Sequence, residues 1–298
     1  MSRLRWTVAT ADDLPEVLEA LGSWQGDDRG VQLHPGDLGW CGRYGDAQLA
    51  RSLRVWRRDD EPVAVALLDD DSLDSTVVRM GVAPRLEHDE PLARALVQDL
   101  HDPDRGLAGR GTVLVEARTG AAFRAALDAA GWSPDESWTP LVRDLAEPVD
   151  AVDLEVVEVT GDRPDRVEAR VQVQRAAFPN STFTTARWHA MTGGPAWRDA
   201  RCLLGLDGRG TPVAGVTVWS AGPGRPGLLE PMGVHRDHRG HGHGRAITVA
   251  AAAALRDLGA SSACVATPSA NVGGVATYRA AGYVAAAPVT DFRRPPLT

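Results

Sequence analysis

The 298-residue chain contains no lysine, so its 32 basic side chains are all arginines. Arginine stays protonated, which excludes a Schiff base or an amine nucleophile supplied by the protein. Cysteine is nearly as scarce. Cys41, Cys202 and Cys264 are odd in number and far apart, so they give neither a disulfide framework nor a paired zinc-ligand spacing, and they suit a reducing compartment. No long apolar run occurs. The opening MSRLRWTVATADD reaches its acids too early for a secretion signal, and the run from Val249 to Leu255 is too short to cross a bilayer. The expectation is a cytoplasmic protein with no membrane partner. Aromatic residues make up only 5% of the chain and the arginines are dispersed, which argues against a nucleic-acid partner.

What is present is ordinary for a folded chain: 43% hydrophobic and 24% charged residues, enough for two cores. The formal charge of −8 is uneven. Through Asp150 there are 16 Arg against 28 Asp and Glu, a net of −12. The remainder has 16 Arg against 12 acids, a net of +4. Such asymmetry predicts two units with different surfaces.

Periodicity predicts a strand over 5–9, a helix from Asp12 to Leu21, a glycine- and aspartate-rich stretch over 26–45, and strands over 53–56, 63–68 and 76–82. A helix over 91–100, a strand over 112–116, a helix over 121–130 and a strand over 138–145 follow. The segment AEPVDAVD, 146–153, reads as a linker. The order then restarts: strand 154–159, helices 164–177 and 184–191, strands 202–206, 213–219 and 228–234, helix 243–258, strand 262–266, helix 275–281 and an extended end. The endings AALDAAGW and TYRAAGY also correspond. An internal repeat of domain size accounts for this, with domains at 1–148 and 152–298.

The segment LLEPMGVHRDHRGHGHGRAI, 228–247, carries the most chemistry. A strand ends near Val234, and Gly240, Gly242 and Gly244 alternate as a helix begins. Amides in a first helical turn lack intrahelical acceptors, so this pattern predicts either an anion site suited to a pyrophosphate or a glycine-rich turn capping an amphipathic helix. It lacks the GK[ST] of a nucleoside-triphosphate loop and fits a dinucleotide fingerprint poorly. Four histidines, His235, His238, His241 and His243, crowd the loop, but no set of cysteines or acids completes a metal site, so none is expected.

Arg239 to Gly244 resembles the acyl-coenzyme A loop of the GCN5-related N-acetyltransferases, whose pattern is Arg or Gln, two residues, Gly, one residue, then Gly or Ala. Asn271, Tyr278, Gly282 and Tyr283 follow at the spacing of that family's second element. The resemblance implies an α/β fold built as two tandem domains, each a mostly antiparallel mixed sheet flanked by helices. It further implies acetyl-CoA as co-substrate, with Gly233, Val234, Arg239, Gly240, His241, Gly242, His243, Gly244, Asn271 and Tyr278 as its binding residues. The strands carrying Val234 and Val265 would splay to open the reaction slot. Tyr278 would serve the departing sulfur, or else be a packing aromatic; Asn271 would bond to the cofactor or act as a local cap. Glu230, an acid within an apolar strand, would deprotonate the acceptor, or else face solvent beside an arginine such as Arg187.

Phe178, Phe183, Trp197 and Trp219 are candidate walls of an acceptor pocket or core residues. The first half has acids, Glu87, Asp89 and Glu90, where the loop glycines would be, and no tyrosine equivalent, so it is expected not to bind CoA. The pair resembles bacterial tandem acetyltransferase-like proteins, the group that includes mycothiol synthase, in architecture only. The expected activity is acetyl transfer to a small-molecule primary amine or a peptide N-terminus by a monomer or homodimer. The alternative is an inactive CoA- or ligand-binding regulatory protein.

Overall fold

A computed structural model of the chain describes residues 4–72, 75–105, 107–109 and 111–296. The fold is mixed α/β, with helices flanking a mixed sheet. The chain divides into two compact units, and neither is one continuous segment. Unit 1 comprises Met1–Leu33, Ala47–Trp138 and Pro288–Thr298; unit 2 comprises His34–Asp46 and Thr139–Ala287.

In unit 1, β1 (Leu4–Val8), β2 (Leu53–Arg58), β3 (Glu61–Ser72) and β4 (Ser75–Val82) form an antiparallel run. β5 (Thr112–Ala117) continues it parallel to β4, with unbroken pairing from Ser75↔Thr112 to Met80↔Ala117. Helices α1 (Leu14–Trp24), α4 (Glu90–His101) and α5 (Ala121–Ala129) belong to this unit. Each buries an apolar stripe: Leu14, Val17 and Leu21 on α1, and Leu92, Leu96 and Leu100 of α4 with Phe123 and Leu127 of α5 in a core with Trp56, Met80 and Val115.

In unit 2 the strand order is β6 (Ser133–Asp144), β11 (Ser262–Pro268), β10 (Gly227–Val234), β9 (Pro212–Trp219), β8 (Ala200–Leu206) and β7 (Glu155–Glu158), with β12 (Val284–Ala285) on β6. Its helices are α2 (Pro35–Cys41), α6 (Pro164–Ala177), α7 (Thr185–Gly193), α8 (His243–Asp257) and α9 (Val272–Ala280). α8 buries Ile247, Val249, Ala251 and Leu255 against the sheet. β8 and β9 are buried on both faces, which explains their nearly continuous apolar runs.

The element order is similar in the two units, and the compact units change over within β6. β6 starts at Ser133 rather than 138 and passes from unit 1 to unit 2 between Trp138 and Thr139. At the end of the chain β13 (Val289–Arg294) pairs with β5 inside unit 1. The stretch 146–153 is not a free linker. Val149 and Val152 pack on the unit 2 core, and the neighbouring Leu145 donates its N–H to Ser261 O and accepts from Arg256 Nε. Within the glycine- and aspartate-rich stretch 26–45, α2 and a short turn of helix over Gly42–Tyr44 form, and α2 belongs to unit 2.

Candidate active site

β10 starts as a regular parallel neighbour of β11, but its pairing ends after Gly227↔Ala263 and Leu228↔Cys264. On its other side β10 slips register against β9 between Leu229 and Met232. Glu230 and Pro231 lie in that irregularity, joined by a cis peptide bond. Past Leu228, β10 therefore parts from β11. In unit 1 the corresponding strands, β4 and β5, stay paired over six positions.

The parting of the strands opens into a cavity of about 710 Å³. Met232, Gly233 and Val234 form one side, and Asn271, Gly274, Thr277 and Tyr278 form the other. Arg239, Gly240, Gly242, His243 and Gly244 form its floor at the start of α8, and Ala177 with Phe178 closes the end of α6 against it. Nine of the expected cofactor residues thus share one groove. His241 does not line it; it lines an adjoining hollow of about 550 Å³ with Asp153, Glu155 and Asp207, which shares Gly242 and His243 with the groove. Glu230 also lies off the lining, yet its charge reaches Tyr278.

The floor has the chemistry of an anion site. Gly242 is the residue before α8, with φ +82°, and has no side chain to cap the helix, so among the described residues no side-chain cap meets its first-turn amides. Gly240 also has φ +82°. Both glycines are needed for conformation, because a Cβ at either would meet nothing within 4 Å. Gly244 serves a different purpose: a Cβ there would lie 3.0 Å from Thr277 Cγ2, so it permits α8 and α9 to approach. The carboxylates that fill the equivalent places in unit 1 give a sharp contrast. Asp89 caps α4 by accepting from Leu92 N at 2.8 Å, and Glu87 accepts from Gly120 N and Ala121 N at 2.9 and 2.8 Å. Those helix ends are already occupied by negative charge.

Side-chain roles differ in detail from the sequence expectations. Arg239 lines the groove, but its Nη2 donates to Ala177 O at 2.8 Å; with Arg236 Nε, which donates to Ala176 O at 2.9 Å, it ties the loop to the end of α6. Asn271 is a cap: Oδ1 accepts from Gly274 N at 3.1 Å and Nδ2 donates to Thr267 Oγ1 at 3.0 Å. His243 is held below its ordinary pKa by burial, then by His241 and His238. Tyr278 is 6% exposed, and its hydroxyl is pushed well above its ordinary value, first by burial and then by the negative charge of Glu230. It therefore stays neutral and able to donate a hydrogen bond throughout the working pH range. Among the described residues no group of three His, Cys, Asp or Glu side chains is arranged to hold a metal ion.

Of the four aromatic candidates, only Phe178 lines the groove. Phe183 and Trp219 are core, and Trp197 packs edge-on to Trp219 at 5.8 Å. Cys202 and Cys264 are buried free thiols. Trp219 also makes a contact that sequence reasoning did not foresee: its Nε1 donates to the Glu230 carbonyl at 2.6 Å. Nothing in the local sequence indicates that bond. Among the described residues no helix is long and apolar enough to cross a membrane.

A mixed sheet whose central strands part beside a glycine-rich helix start thus gives a groove with an anion-binding end. Residues 171–283 match the acetyltransferase (GNAT) family. No curated protein matches the chain. Among solved structures, a GCN5-related N-acetyltransferase from Sphaerobacter thermophilus aligns with 98% of this chain and 95% of its own at 21% identity and a TM-score of 0.59. A tandem GNAT protein from the clavulanic acid biosynthesis pathway aligns over 99% of both chains at 18% identity and a TM-score of 0.60. A GNAT-family acetyltransferase from Colwellia psychrerythraea covers 98% of this chain and 99% of its own at 13% identity and 0.59. At these identities the likeness is one of fold.

Proposed function

We propose that unit 2 transfers an acetyl group from acetyl-CoA to a primary amine, and that the chain is organised as a tandem pair in which unit 1 takes no cofactor. The observation that carries this reading is the single groove in which the parted strands, the uncapped start of α8 and the Tyr278 hydroxyl meet. Its floor suits the pyrophosphate by its amides, and Met232, Gly233 and Val234 of β10 line the side along which a pantetheine arm would lie.

The amine nitrogen attacks the thioester carbonyl carbon, forming the C–N bond as the C–S bond breaks. Glu230, directly or through water, removes the proton of the incoming ammonium. Tyr278 donates its hydroxyl hydrogen bond, and then its proton, to the departing sulfur. The nitrogen sheds its second proton to the Tyr278 oxygen as the amide forms, and Glu230 passes its proton to solvent, so both groups return to their starting states. For unit 1, the continuous β4–β5 pairing and the carboxylates at the starts of α4 and α5 support the absence of a second cofactor site.

The test is calorimetry with acetyl-CoA, followed by thiol release with spermidine, kanamycin, tyramine and trialanine as acceptors. One acetyl-CoA per chain and turnover with at least one amine are expected, with Glu230→Gln losing turnover and keeping affinity. No binding of acetyl-CoA would sink the reading. Binding without turnover would instead favour a ligand-binding regulatory role.

A further inference from the structure

The short helix α2 lies far from β10 in sequence, yet it is fastened to that strand around Glu230. His34, fully buried, is the first anchor. Its Nδ1 accepts from Gly36 N at 2.8 Å, which leaves Nε2 to carry the proton and donate to Pro226 O at 3.1 Å, one residue before β10. Burial holds the His34 pKa down, against Asp37 and the Pro226 carbonyl, so the ring stays neutral and the anchor keeps this tautomer. The second anchor is Trp219. A Cβ on Gly36 would lie 2.7 Å from Trp219 Cβ and Cγ, and one on Gly39 would lie 2.3 Å from Cζ3. α2 therefore lies flat on the indole, and only glycine fits at those two places.

The indole in turn completes the bulge in β10. Glu230 and Pro231 are out of register with β9, and proline offers no N–H of its own. The Trp219 N–H meets the Glu230 carbonyl at 2.6 Å. Trp197 packs edge-on against the same indole at 5.8 Å, so the ring is held on more than one side.

We infer that Trp219, clamped by Gly36 and Gly39 of α2, is a positioning residue that sets the backbone at Glu230 and so aims its carboxylate at the acceptor amine. The inference rests on the proposed role of Glu230 as base. Neither Trp219 nor α2 lines the cofactor groove, so the device separates acceptor activation from cofactor binding.

The experiment uses the full chain with whichever of the four amines above gives turnover. Trp219→Phe removes the N–H and keeps an aromatic ring; Gly39→Ala drives a methyl into the six-membered ring. Each is expected to lower kcat by about 10- to 100-fold, the scale of a small misplacement of a catalytic group, to leave acetyl-CoA affinity within twofold, and to change the acid limb of the pH–rate profile in the same way as Glu230→Gln. Phenylalanine lacks the benzo ring that Gly39→Ala strikes. The double variant should therefore be no worse than Trp219→Phe alone, a non-additivity that general unfolding would not produce. Wild-type kcat and pH profile in Trp219→Phe, beside a defective Glu230→Gln, would overturn the inference alone. Full turnover in Glu230→Gln, or no turnover by the natural protein with any of the amines, would overturn the base reading and this inference with it.

Discussion

Asp291 carries the most quantitative prediction. It lies on β13 in unit 1, 6% exposed, with its Oδ1 lacking a hydrogen-bond partner. The nearby Glu116 carboxylate is flanked by Arg79 at 3.5 Å and Arg118 at 3.6 Å. Burial first and the Glu116 charge second, opposed by Arg118, push the Asp291 carboxyl from 3.8 up to about 7. The folded chain therefore holds this proton more tightly than the unfolded chain. Below 3.8 both states are protonated and folding bears no cost from the group. Between 3.8 and about 7 the unfolded state ionises first, so stability falls as pH rises; above that window the loss is complete. At about 1.4 kcal/mol per pH unit, the ceiling is about 4 kcal/mol, of which roughly 3 kcal/mol falls above pH 5. Asp291→Asn should remove that dependence. Denaturant unfolding of both proteins at pH 5 and pH 8 should show the variant gaining about 2–3 kcal/mol on the natural protein between the two conditions. A difference that stays within about 0.5 kcal/mol would refute the reasoning, because it would mean the carboxyl is solvated or paired in the folded state.

Other consequences are simpler to read. Gly242→Ala forces a side chain onto φ +82°, at a cost of about 1 kcal/mol or more, and should weaken acetyl-CoA binding several-fold in calorimetry. Tyr278→Phe should lower kcat by about 10²-fold and leave acetyl-CoA affinity nearly unchanged, measured by thiol release and calorimetry on the same preparation. Asp89→Ala removes the α4 cap and its ion pair with Arg58; it should cost about 1 kcal/mol of stability and leave binding at one acetyl-CoA per chain.

The two units show why some of this was legible and some was not. Helix and strand positions follow from local periodicity, and the glycines at 240, 242 and 244 mark a helix start because only a few residues set that geometry. The contrast between those glycines and Glu87 and Asp89 is equally local, and the structure places the acids as caps. Asn271 shows the limit: its type suits a cofactor contact or a cap, and only the neighbouring amide of Gly274, reached through the turn, makes it the cap. Arg239 is similar, since the carbonyl it meets lies 62 residues away.

The sequence by itself determined most of the elements, the glycine-rich helix start and the want of any lysine chemistry, because each depends on residue type or on neighbours within a few residues. Only the tertiary structure decided which segments make each unit, with β13 beside β5 and α2 on Trp219. It also decided that β10 parts from β11 while β4 and β5 do not, and that His241 faces another hollow. These depend on packing and hydrogen bonds between residues far apart in the chain, and strand pairing carries no local mark of its partner.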